Sequence, residues 1–125
     1  MAADWVRFCG RAGDLAVSDP YVDVMFGDGR RHRVTVKDDG DSYLISGYVA
    51  RQALVTSVPD LPAWAWTRNR VTQLVGFRID RRLRLVGEAW LPKEGITREE
   101  FQLFLRRVAY ECDRFEYLLS GRDAE

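Results

Sequence analysis

The sequence predicts an α+β fold: an antiparallel sheet with helices packed on one of its faces, in the order α-β-β-β-α-β-β-α. Three observations lead there. From Leu15 to about Arg51, apolar residues alternate with polar ones between short Gly- and Asp-rich turns. The alternation returns from Val75 to Leu91. After Pro92 the apolar spacing changes to three and four, which is the period of an amphipathic helix.

Residues 1–13 hold a short helix in which Trp5, Phe8 and Cys9 share a face. Gly10 and Gly13 limit its length, so it suits a lid on the sheet or a partner contact. Val22, Val24 and Phe26 then alternate with Tyr21, Asp23 and Met25 up to a Gly27-Asp28-Gly29 hairpin tip. Val34 and Val36 alternate with Arg33, Thr35 and Lys37, and Asp38 to Asp41 form a second turn. In the third strand Tyr43, Ile45 and Val49 share one face, and Leu44, Ser46 and Tyr48 the other. Short turns join only antiparallel neighbours, so these strands form a meander.

Asp60 is placed to cap a helix of about ten residues, with Pro62 in the first turn, where its missing N–H costs nothing. Leu61, Trp64, Ala65 and Val71 supply its apolar side, and Arg68-Asn69-Arg70 end it. Trp64 and Trp66 cannot share one side of a helix, so one is expected in the core and the other outside. Val75, Phe77 and Ile79 then point inward. After a tight turn at Arg81-Arg82, Leu83, Leu85, Gly87, Ala89 and Leu91 form one strand face, opposite Arg84, Val86, Glu88 and Trp90. Pro92 ends the ladder. The last helix opens with a capping box, Thr97 with Glu100, and an Ile96–Phe101 staple. Phe101, Phe104, Leu105, Val108, Cys112, Phe115 and Leu119 make its apolar stripe, and Gly121 is a stop signal.

The totals exclude several classes. The 125 residues suit one domain, spanning 1–125 with a tail at 121–125. Lys plus Arg and Asp plus Glu are 19 each, so no net charge draws the chain to nucleic acid or an anionic membrane. No apolar run approaches the length of about 18 residues expected of a membrane span, and the N-terminus lacks a signal-peptide pattern. The two cysteines read as free core thiols, and the chain as soluble and cytoplasmic.

No catalytic or metal constellation and no cofactor motif stands out. His32 is the only histidine. It shares the side of Val34 and Val36 and reads as a partly buried strand residue rather than a catalytic or metal-binding one. Arg31, Arg33 and Lys37 lie on one sheet face and Arg84 on another strand, which suggests a nucleic-acid platform as the alternative function. The neutral total and the nearby Asp23, Asp38, Asp39 and Glu88 favour cross-strand ion pairs instead. The stronger signal is Tyr21, Met25, Leu44, Tyr48, Val86 and Trp90, which alternation puts opposite the core. Apolar and aromatic side chains on a face without helices mark an interface.

Two blocks carry a family resemblance. One is Arg30 to Val36 followed by Tyr43-Leu44-Ile45-Ser46. The other runs Trp66-Thr67-Arg68-Asn69-Arg70, Val75-Gly76-Phe77-Arg78-Ile79-Asp80, Glu88-Ala89-Trp90-Leu91-Pro92 and Gly95 to Glu100, with Asp113-Arg114-Phe115 in the last helix. This pattern resembles the type III secretion chaperone-like fold, most closely its bacterial YbjN-type domains, over about residues 15–120. The resemblance implies a non-enzymatic role. Secretion chaperones of this fold are homodimers that bind an extended client segment, and YbjN-type domains are treated as regulatory or chaperone-like. The departure is the first helix, which is longer in the family and helps to bind clients there. The expected function is therefore protein binding as a homodimer. Tyr21, Met25, Leu44, Tyr48, Val86, Trp90 and Trp66 would form the contact surface, and Arg31, Arg33 and Arg84 its charged rim.

Overall fold

The computed structural model describes residues 4–120. The elements run α1 (Asp4–Phe8), β1 (Leu15–Ser18), β2 (Tyr21–Met25), β3 (Arg31–Asp39), β4 (Ser42–Ala50), α2 (Gln52–Ser57), α3 (Leu61–Val71), β5 (Gly76–Ile79), β6 (Leu85–Pro92) and α4 (Arg98–Ser120). The strands form one antiparallel sheet in the order β1-β2-β3-β4-β6-β5. The predicted α+β arrangement is what the chain adopts, with two short additions, β1 and α2. At four and six residues, both are too short to display a period. The stop signal at Gly121 and the tail at 121–125 lie outside the described residues.

α4 anchors the fold. Thr97 and Glu100 close the capping box in both directions: Thr97 N–H donates to Glu100 Oε1 at 3.0 Å, and Glu100 N–H to Thr97 Oγ1 at 3.1 Å. Phe101, Leu105, Val108, Cys112, Phe115 and Leu119 are fully buried against the sheet. The helix crosses at Gly47 and Gly87, which face each other in the register of β4 and β6. A Cβ on Gly87 would stand 2.6 Å from Cys112 Sγ and 2.8 Å from the Phe77 ring, so glycine there lets the helix approach the strands. Both cysteines are free and buried, and burial raises their thiols to about 11 for Cys9 and about 12 for Cys112, which keeps them unreactive.

α1 closes onto the start of α4. Trp5 is buried and stacks on Phe101, and Gln102 Nε2 donates to the Phe8 carbonyl at 2.7 Å. Arg106 holds Asp14 through both of its carboxylate oxygens, at 2.7 and 3.0 Å. The guanidinium's hydrogen bonds keep the Asp14 carboxyl below its usual range.

Four local expectations are corrected. Asp60 stands before α3, but its side chain makes no capping bond. Its backbone is left-handed (φ 58°), not the extended form from which a capping side chain reaches the helix; its carbonyl accepts from Ala63 and Trp64 instead. Val71 is exposed at the end of α3, so Leu61 and Ala65 alone carry its buried side. Neither Trp64 nor Trp66 is core, because the small Ala65 between them takes the inward position. Leu83 belongs to the β5–β6 turn and is exposed with φ 59°. Asp80 organises that turn without glycine, as Oδ1 accepts from the Arg82 and Arg84 amides.

Candidate functional site

The face of the sheet turned away from α4 is where the expected contact residues gather. Alternation in β2, β3, β4 and β6 places Tyr21, Met25, Arg31, Arg33, Leu44, Tyr48, Val86 and Trp90 there, and no helix of the described residues packs over them. Tyr48 and Trp90 are each 53% exposed, and Tyr21 is 41% exposed. Leu44 is half-buried with Trp90 as its partner across β4 and β6. Leu44 and Tyr48 are four residues apart on one strand, about 13 Å, so the apolar surface is a band rather than a spot.

Val86 is the exception. It lies on this face but is 5% exposed, flanked in the register by Tyr48 on β4 and Arg78 on β5. It supports the band from beneath and offers little surface of its own. Trp66 is 62% exposed but lies on α3, away from the band. It lines a separate groove with Pro62, Ala65, Asn69, Phe77 and Arg78 along the β5 edge. Trp64 lines another, with Asp60, Ala63, Thr67, Arg68 and Leu118.

The rim charges are organised rather than loose. Arg33 donates to both oxygens of Asp23, at 2.9 and 3.1 Å, and its guanidinium lies 4.8 Å from the Tyr21 ring centre. These hydrogen bonds hold the Asp23 carboxyl below its ordinary range. Arg84 bonds Asp80 and lies over Tyr48, 4.5 Å from the ring centre. Arg78 reaches both oxygens of Glu88 at 3.1 Å. Cationic planes thus lie over two of the exposed rings, and their carboxylate partners take up charge that a phosphate backbone would otherwise meet. Arg31 and Arg33 join Tyr21, Thr35, Ser46 and Tyr48 around a shallow concavity.

One edge of the sheet is sealed. Asn69 on α3 bonds the backbone of Phe77 in both senses: Phe77 N–H donates to Oδ1 at 2.6 Å, and Nδ2 donates to the Phe77 carbonyl at 3.0 Å. At Phe77 the side-chain amide makes the pair of bonds that a neighbouring strand would make.

His32 meets residues that the sequence did not connect to it. It lies on the α4 side of β3, where Asp113 and Glu116, one helical turn apart on α4, approach it. The spacing of Asp113 and Glu116 could have suggested a shared helix face. Nothing in the sequence says that β3 begins beneath it.

No family model and no curated protein matches the chain. Solved structures do. A chain from the ExoU–SpcU heterodimer of the Pseudomonas aeruginosa type III secretion system is similar with a TM-score of 0.64 and 15% identity, over 97% of this chain and 99% of that one. A chain from the ExsC–ExsE complex gives 0.60 and 16%, over 90% and 88%. YbjN from E. coli gives 0.56 and 18%, over 96% and 87%. At such identities the likeness is one of fold, and it is the secretion-chaperone-like and YbjN-type fold that the motifs implied. No helix of the described residues is long and apolar enough to cross a membrane.

Proposed function

We propose that the chain is a non-enzymatic, chaperone-like protein-binding domain that acts as a homodimer and receives a partner segment on the helix-free face of its sheet. The observation that carries this reading is the band of exposed Tyr21, Tyr48 and Trp90 around half-buried Leu44, on a face that the described helices leave open. Exposed aromatic rings bounded by fixed charges make a surface suited to burial against protein. Two of the structurally similar chains come from protein–protein complexes, which supports the same reading. The paired arginines argue against the nucleic-acid alternative, because Asp23, Asp80 and Glu88 stand against the cations that would meet phosphate.

Trp90→Glu tests the proposal. In light scattering the unmodified chain is expected to run as a dimer. The variant should run as a monomer and fail to retain the partners that the unmodified chain captures. If self-association and partner capture both survive the substitution, the band is not the binding surface.

A further inference from the structure

We propose that His32, Asp113 and Glu116 form a binding site for one divalent transition-metal ion of the zinc type. Three acceptor atoms converge there. His32 Nδ1 lies 3.8 Å from Asp113 Oδ1 and 3.7 Å from Glu116 Oε1, and the three ligand atoms lie within 4.8 Å of one another. These separations exceed a hydrogen bond, which ends at about 3.2 Å for N–H···O. They are close to the spacing of about 3.4 Å between ligands around a tetrahedral ion with bonds of about 2.1 Å. The two His32 separations are within a few tenths of an ångström of it, and the remaining one, up to 4.8 Å, closes by about an ångström if the exposed Glu116 side chain turns toward Asp113.

The surroundings prepare each ligand. His32 Nε2 lies 2.9 Å from the Tyr48 carbonyl, an acceptor only, so this nitrogen donates its proton there and Nδ1 is the ring nitrogen that faces the carboxylates. A backbone carbonyl behind a ligating imidazole is the arrangement that orients histidine at metal centres. Asp113 divides its oxygens in the same way. Arg30 Nη2 donates to Oδ2 and leaves Oδ1 toward His32. The His32 side chain is 10% exposed and that of Asp113 13%, while Glu116 is open to solvent beside the concavity that holds Tyr48. Three protein ligands with one accessible side leave a fourth position for water or a donor from a partner. The softer imidazole nitrogen and two carboxylates suit zinc, cobalt or nickel better than magnesium or calcium, which favour all-oxygen sets. The site does not depend on the sheet-face band being a binding surface.

The untagged full chain titrated with zinc by calorimetry tests this. One ion per chain with a micromolar or tighter Kd is expected, and cobalt should give the visible absorption bands of a low-coordinate site. His32→Ala and Glu116→Gln should each weaken binding about tenfold or more, and Arg30→Ala should weaken it less. Asp39→Asn, a surface carboxylate elsewhere, should leave it unchanged. Because the chain has a single histidine, its ring nitrogens can be followed unambiguously by NMR even if a variant folds poorly. Zinc should shift Nδ1 strongly and leave the Nε2 proton in place. A ring that keeps both protons in the presence of zinc is an imidazolium paired with carboxylates and overturns the proposal. So does the lack of saturable binding, or binding that survives both His32→Ala and Glu116→Gln.

Discussion

The two faces of the sheet come from the same strands and differ in what covers them. Beneath α4, Val34, Ile45, Ala89 and Leu91 are buried, and the facing glycines 47 and 87 let the helix come close. On the other face, Tyr48 and Trp90 leave half their surface in water, and arginines lie over Tyr21 and Tyr48. One face is fixed by close packing, where each atom has a neighbour and small changes are felt. The other is fixed mainly by the register that the first imposes. Stability should therefore reside on the α4 side, and association on the other.

Substitutions can break that contrast. Phe101→Ala should have the largest effect. Phe101 is fully buried and touches the rings of Trp5, Phe8 and Tyr43, so its loss should cost about 3–5 kcal/mol in urea unfolding. Gly87→Ala should follow at about 1–3 kcal/mol, because the added methyl meets a buried sulfur and a packed ring. If Gly87→Ala were neutral, the helix would have room to retreat and the packing on this face would be looser than described.

Acid provides a third test, on the tie between α4 and the start of β1. Asp14 has a depressed pKa when folded, so its contribution is complete above the ordinary carboxyl value of 3.8 and disappears as pH falls through the lower folded value. The pair is partly exposed, which limits the effect to about 1 kcal/mol. Urea midpoints at pH 6 and pH 3 should fall further for the unmodified chain than for Asp14→Asn. Equal falls would show that the tie contributes nothing. Trp90→Glu should change stability least, by about 0.5 kcal/mol or less, while changing association most. A large loss of stability would mean that Trp90 belongs to the packed side of the comparison.

How much of this could be read from the sequence follows from the range of each interaction. α4 was legible because its cap and its stripe are local patterns: Thr97 finds Glu100 three residues on. The two sheet faces were legible because period-two alternation survives in β2, β3, β4 and β6. Alternation puts Val86 on the helix-free face, but its burial depends on flanking residues in two other strands. The positions of Trp64 and Trp66 are not legible from the helix period, because a helix resting on a sheet through Leu61 and Ala65 can leave both large rings outside. His32 went unconnected to Asp113 and Glu116 because only the crossing of α4 over β3 brings them together.

The side-chain amide of Asn69 has a consequence for assembly. By occupying the backbone of Phe77 it obstructs strand addition at the β5 end, and among the described residues β1 is the edge without such a block. Sheets with two open ends can add copies without limit. With the β5 end stopped, edge-to-edge stacking of copies cannot propagate as a filament, and association is left to the open face of the sheet.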